Sequence, residues 1–335
     1  MSDPSTSART RRVRPLGLIA AVLSAAALLS ACGSSESKSS SGRTQTPAAP
    51  AGINTSADQN RVVPEEVPSI AKLVPDEIRE TGKLVAAIPV PGGGWPPSQF
   101  VADDNRTVIG SEADIATLVT GVLGLELEIV SPSWEGLFIT LDKGDADVAF
   151  SNVTVTEQRK TKYDFATYRV DTLAFEAPEE ADFTIEEPAD VAGKTIAVDT
   201  GTNQEKILLD WARQVKEQGL DEVKLKYYPR TSQIILALKS GVIDAYLTSN
   251  PDAAYRSVTA GETKIVGTLS GGGDGRKGLL AATTLKDNGL VEALAAALNH
   301  TIESGEYAEV LDRWKLGEEA VERSEINPPG LLDKE

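Results

Sequence analysis

The chain has 335 residues, with 33 lysines and arginines against 50 aspartates and glutamates, for a formal charge of -17. That balance argues against nucleic-acid binding, which rests on lysine and arginine contacts to phosphates. A single cysteine rules out a disulfide framework, so stability has to come from a hydrophobic core, and a chain of this length can supply one.

Arg9, Arg11, Arg12 and Arg14 precede an apolar run over 16–29 that ends in the small residues Ser30 and Ala31. This is the three-part layout of a secretory signal, and the run is too short to span a bilayer comfortably. Cys32 closes Leu29-Ser30-Ala31-Cys32, which resembles the bacterial lipobox. The resemblance implies cleavage of a 1–31 signal peptide, a diacylglycerol on the Cys32 sulfur, and a lipid-anchored protein at the extracytoplasmic face of the cell membrane. Residues 32–68 are then the lipidated cysteine and a tether. Their Ser, Thr, Ala, Pro and Gly composition cannot bury enough surface to offset ordering entropy, so this segment is expected to be disordered.

Folded sequence follows. A strand over 83–88, a helix over 112–123 opened by Ser111, a strand over 127–130, a short helix over 137–141 and a strand over 146–150 make one series. An irregular acidic stretch over 176–190 interrupts it. The pattern resumes with a strand over 195–198, a helix over 204–218, a strand over 223–227, a helix over 234–239 and a strand over 245–248. Alternating strand and helix predict parallel sheets with crossover helices, and two series predict two α/β lobes. One phrase occurs in both: Leu141-Asp142-Lys143-Gly144-Asp145-Ala146-Asp147-Val148 is echoed by Leu238-Lys239-Ser240-Gly241-Val242-Ile243-Asp244-Ala245. Each reads as a helix end, a glycine able to take the left-handed cap conformation, and an aspartate leading into a strand. Two similarly built halves are expected to face a cleft beyond the carboxyl ends of their strands.

Several segments carry a family resemblance: Trp134-Glu135-Gly136-Leu137, Thr154-Val155-Thr156-Glu157-Gln158-Arg159, Asp164-Phe165-Ala166, Asp190-Val191-Ala192-Gly193-Lys194, Gly201-Thr202-Asn203, Gly241-Val242-Ile243-Asp244-Ala245, and Gly305-Glu306-Tyr307 with Trp314. In this order, over about 81–316, the chain resembles the extracellular solute-binding proteins of family 3, the polar amino-acid-binding proteins of bacterial ABC importers. The resemblance implies a two-lobed, type II periplasmic-binding-protein-like α/β fold with two hinge crossovers, near Phe175 and near Leu279. Lobe 1 would comprise 69–176 with 279–320, lobe 2 would be 177–278, and 321–335 a C-terminal tail. Helices over 290–303 and 307–314 would pack back on lobe 1.

The resemblance also implies a site. Arg159 would grip a solute carboxylate with its planar fork, the alternative being an ion pair with Asp164 or Glu157. Asn152 and Thr154 would present a backbone group and a hydroxyl to the same carboxylate. From the other lobe Thr202 and Asn203 would offer a helix start, with plain helix capping as the alternative. Trp95 and Trp134 would sandwich the solute. Ser249 stands where the family places an aspartate for the solute's α-ammonium, so either another acid, Asp252 or Asp199, meets the ammonium or the solute has none. Arg169 is expected to be a solvated charge, the alternative being that it meets a second anionic group near the cleft, and Trp211 and Trp314 are expected to be core.

No cofactor, metal ligand set or catalytic residue is expected, since the only histidine, His300, lies in a C-terminal helix far from the site motifs. The implied function is capture of a small carboxylate-bearing solute, foremost a polar amino acid, by a monomer that delivers it to an ABC permease. The alternatives are a sensory lipoprotein passing occupancy to a membrane partner and an enzyme resembling the cyclohexadienyl dehydratases.

Overall fold

A computed structural model describes residues 52–273 and 275–332. The signal segment, Cys32 and the tether through residue 51 lie outside the described residues. Among the described residues no helix is long and apolar enough to cross a membrane.

Two five-stranded sheets organise the fold. The first runs in the order Glu126–Val130, Lys83–Ala87, Val148–Ala149, Leu279–Leu285, Tyr163–Val170. The second repeats the plan with Lys224–Lys226, Thr195–Ala197, Ala245–Ser249, Thr172–Pro178, Thr263–Ser270. In each sheet the first three strands are parallel and the last two join antiparallel. The sheets are therefore mixed where parallel sheets were expected. Parallel pairing needs a crossover connection, and the strands linking the lobes pass straight from one sheet to the other without one.

The repeated phrase has one physical role in both lobes. Gly144 (φ 71°) and Gly241 (φ 67°) take the left-handed conformation that ends each helix. Three residues on, the carboxylates of Asp147 and Asp244 accept hydrogen bonds from Val85 N (2.8 Å) and Thr195 N (2.7 Å), in the second strand of each sheet order.

The first crossing is a single residue, Asp171, between Tyr163–Val170 and Thr172–Pro178. This corrects the crossing expected near Phe175 and the end of lobe 1 at 176. Phe175 is fully buried within the second sheet, and the neighbouring Glu176 is buried too, held by Arg256 Nη2 (2.7 Å) and Thr263 Oγ1 (2.7 Å). An acidic residue that reads as surface is here half of a buried ion pair. The return leg runs from Thr263–Ser270 to Leu279–Leu285, and Asp171 joins the legs through Asp171 N to Gly278 O (3.0 Å) and Gly271 N to Asp171 O (2.9 Å).

The core of lobe 1 lies between its sheet and the helices Ser111–Leu123, Val291–Ser304 and Glu306–Trp314, with Leu84, Ile115, Leu118, Leu298 and Trp314 buried. Trp314 donates to Asp114 Oδ2 at 2.8 Å. Trp211 lies in the lobe 2 core with Phe175 and Leu208, so both tryptophans are core as expected.

Two terminal segments are fastened to the lobes, the first of them against its expected disorder. Within the proposed tether, residues 52–68 are fastened to lobe 1: Arg61 pairs with Asp114 (2.8 Å) and donates to Val108 O (2.6 Å), Val67 N donates to Val122 O (2.9 Å), and Ile53, Val62 and Val67 pack on the core. A polar segment that builds no core of its own can still dock on one already built. At the other end, 321–332 is a strap. It bonds to lobe 1 through Thr167 N to Glu325 O (3.1 Å), Asn327 N to Phe165 O (3.0 Å) and Leu331 N to Val155 O (3.0 Å), while the Leu331 side chain packs into the lobe 2 core.

Candidate functional site

The parallel strands of both sheets end at one cleft, where open α/β sheets hold ligands. It encloses a cavity of about 180 Å³. Lobe 1 contributes Trp95, Gln99, Trp134, Glu135, Ser151 and Asn152, and lobe 2 contributes Asp199, Thr202, Asn203, Gln204, Arg230, Ser249 and Asp252. The lobes are bridged across it by Trp95 Nε1 to Thr231 Oγ1 (3.1 Å), Ser98 Oγ to Asp252 Oδ1 (2.7 Å) and Arg159 Nη2 to Gly201 O (3.1 Å). This is a closed arrangement. A larger hollow, about 290 Å³, lies beside Ile207, Leu209, Trp211 and Leu331, away from the strand ends. The cleft cavity is the one on which both sheets converge.

Six of the eight residues expected at the site line this cavity: Trp95, Trp134, Asn152, Thr202, Asn203 and Ser249. Thr202 is also the helix cap of its alternative reading, accepting from Glu205 N (3.1 Å) and donating to Asp199 O (2.7 Å). Thr154 and Arg159 are not in the lining. Thr154 Oγ1 donates to Asp171 Oδ2 (2.6 Å), and Asn203 Nδ2 reaches the same oxygen (2.9 Å) and Gly271 O (3.1 Å). Arg159 gives Nη1 to Thr154 O (2.9 Å) and Nη2 to Gly201 O, with its guanidinium 5.7 Å from the Trp134 ring centre and 5.1 Å from that of Phe138. It pairs with neither Asp164 nor Glu157. Burial brings its pKa down to about 10, which leaves it charged at neutral pH.

Arg169 requires a correction. The expected solvated charge is fully buried beneath the cavity, paired with Glu112 (2.9 Å) and Glu319, and it donates to the side-chain oxygen of Asn152. Tyr168 donates to Glu112 and Thr172 to Glu319. Burial opposes the charge on Arg169, but Glu319 and Glu112 outweigh it and raise its pKa. Asn152, held at φ 49°, thus has its orientation set from below.

Among the lining residues given no role from the sequence are Gln99, Glu135, Gln204 and Arg230. Glu135 and Gln204 sit inside or beside motifs already recognised, Trp134-Glu135-Gly136 and Gly201-Thr202-Asn203, so adjacency would have found them. Nothing local marks Gln99. Among the described residues no cluster could hold a metal ion.

Two buried carboxyls set the pH response. Burial pushes Asp171 up to about 6, against its bond from Thr154, and pushes Asp252 up to about 7, against Arg256 and its bond from Ser98. In the unfolded chain both titrate near 4. Between these values the folded protein holds more protons than the unfolded chain, so stability falls as pH rises through that window. Thermal midpoints of solute-free protein should rise on acidification from pH 8 to pH 5, and Asp171→Asn with Asp252→Asn should flatten the profile. A midpoint independent of pH in wild type would count against both shifts.

The Asp171 carboxylate also explains Gly271. A Cβ there would lie 1.8 Å from Asp171 Oδ2, an oxygen already fixed by Thr154 and Asn203. Gly271→Ala should push that carboxylate off Asn203 and loosen the closed form. Small-angle scattering should then show a larger radius of gyration than wild type, and identical profiles would contradict this role for the hinge.

A model of the bacterial extracellular solute-binding proteins, family 3, matches residues 91–318. The arginine-binding protein ArgT of Corynebacterium glutamicum is 25% identical over 277 residues, which span 81% of this chain and 86% of that protein. The L-cystine-binding protein TcyJ of Escherichia coli is 31% identical over 173 residues, 51% of this chain and 60% of that protein. Among solved structures, an ancestral arginine-binding protein bound to arginine superposes with a TM-score of 0.59 at 26% identity, covering 70% of this chain and 98% of that one. A mutant of ArgBP from T. maritima gives a TM-score of 0.60 at 25% identity, covering 72% and 98%.

Proposed function

The chain belongs to the bacterial extracellular solute-binding proteins, family 3, and from that membership we propose that it captures one amino acid between its lobes and delivers it to an ABC permease, tethered through a lipid on Cys32. One observation carries the reading: the closed inter-lobe cavity of about 180 Å³, walled by Trp95 and Trp134 and by polar groups of both lobes. Three carboxylates, Glu135, Asp199 and Asp252, line it against the single cation Arg230, which favours a solute carrying positive charge. The arginine-binding relatives support arginine as the first solute to try.

The family motif over 154–159 assigns the solute's carboxylate to Arg159, which stands outside the cavity lining with its guanidinium over the lining ring of Trp134. A guanidinium has five N–H donors, and two of these are committed to Thr154 O and Gly201 O. The bond to Gly201 carries Arg159 to the start of the helix Asn203–Glu217, where free backbone N–H groups add to the attraction for an anion. Tryptophan faces on Trp95 and Trp134 suit an aliphatic stem or a cationic head.

Calorimetric titration with L-arginine, L-cystine, other amino acids and dicarboxylates tests the reading. Saturable heat from an amino acid is expected, with the solute recovered unchanged. No heat from any amino acid, or steady appearance of product, would overturn it.

A further inference from the structure

The ammonium half of the site is the part that Ser249 leaves open, because a hydroxyl accepts a hydrogen bond but brings no countercharge. Ser249 caps the helix Asn250–Ala260 without using its side chain for the cap, and Asp252 lies three residues on, one helical turn away. Both line the cavity. Asp252 is 3% exposed, and its one side-chain bond is from Ser98 Oγ of the opposite lobe. Its nearest cations are already engaged, Arg256 with Glu176, and Arg169 with Glu112 and Glu319. Gln99, next to Ser98, is 2% exposed and lines the same cavity. Its amide nitrogen is spent on Ser151 Oγ (2.6 Å), while its Oε1 is buried with no donor. A buried acceptor left without a partner is costly, and one on a ligand wall is satisfied when a donor arrives. Asp199, the other acid considered, is bonded within its own lobe, receiving the Tyr246 hydroxyl at 2.5 Å.

We propose that Asp252, Gln99 and Ser249 form a relocated α-ammonium subsite, three acceptors for the three N–H donors of an ammonium, with Asp252 supplying the charge that Ser249 lacks. The inference rests on the amino-acid reading above and narrows it to solutes with a free α-amino group. Because Asp252 and Gln99 come from different lobes, an ammonium held by both is bound fully only when the cleft is shut.

The test titrates the full-length protein and two near-isosteric variants, Asp252→Asn and Gln99→Met, with L-arginine and L-cystine, each against its analogue lacking the α-amino group, and with L-citrulline. Wild type should prefer the amino acid over its deamino analogue by at least roughly 10- to 100-fold, the range of a single charge-assisted hydrogen bond. Asp252→Asn should erase most of that preference, and Gln99→Met part of it, with thermal melts confirming that each variant folds. If wild type binds neither amino acid nor any other, the amino-acid reading fails and the subsite with it. If wild type binds while both folded variants keep the full preference, the subsite alone is wrong. If Asp252→Asn instead erases the preference for L-arginine over L-citrulline, Asp252 meets the solute's side chain and the α-ammonium assignment is overturned.

Discussion

Arg169→Met is expected to destabilise the folded protein by about 3–5 kcal/mol, the cost of breaking a buried ion pair from one side. The guanidinium is fully buried between Glu112 and Glu319, and its removal strands two carboxylates away from water. Their desolvation is then uncompensated in the floor of lobe 1. Urea denaturation should show the midpoint fall with little change in slope. Adding Glu112→Gln and Glu319→Gln to the same chain should recover much of the loss, since the penalty comes from uncompensated charge more than from lost packing. Solute affinity should fall as well, because Asn152 loses the donor that fixes its side chain on the cavity wall. An Arg169→Met protein within about 1 kcal/mol of wild type would contradict the buried ion-pair account of this floor.

Arg159→Ala is expected to reduce amino-acid affinity by about 100-fold or more. Each charge-assisted hydrogen bond contributes about 1.5–3 kcal/mol, and Arg159 makes two to backbone carbonyls before any solute contact is counted. One of those carbonyls belongs to lobe 2, so the substitution removes both the assigned anchor for the carboxylate and a tie that holds the lobes together. Arg159→Lys should rescue little, because a single ammonium on a flexible stem does not reproduce a planar fork resting on the Trp134 and Phe138 rings. Calorimetry of both variants with L-arginine checks this. Unchanged affinity in Arg159→Ala would remove Arg159 from the site.

The regular elements were legible because their periodicity is local. The Gly144–Asp147 and Gly241–Asp244 phrases announced the duplicated plan, and the motifs around Trp134, Asn152, Thr202 and Ser249 located most of the cavity wall. What the sequence hid was the identity of the buried charges. Arg169 and Glu176 look like any surface residues until their partners Glu319 and Arg256 arrive from distant parts of the chain. The crossing point was misplaced by a few residues because Tyr163–Val170 and Thr172–Pro178 are strands of one continuous pattern, and nothing in the hydropathy of that run marks Asp171 as the change of sheet. The docked segment 52–68 was misread for a related reason. A handful of anchors such as Arg61 and Val67 suffices to hold a polar stretch, and composition averages them away.

Three of the hydrogen bonds that join the lobes directly, Trp95 with Thr231, Ser98 with Asp252 and Arg159 with Gly201, are made between protein groups alone. Each lends the empty molecule a standing bias toward its shut form, which reduces the free energy a solute must supply to shift the population. The same bias narrows the contrast between laden and vacant receptors. A transporter that read shape alone would then engage vacant carriers and spend nucleotide in futile cycles, so discrimination would have to rest on differences finer than lobe closure itself.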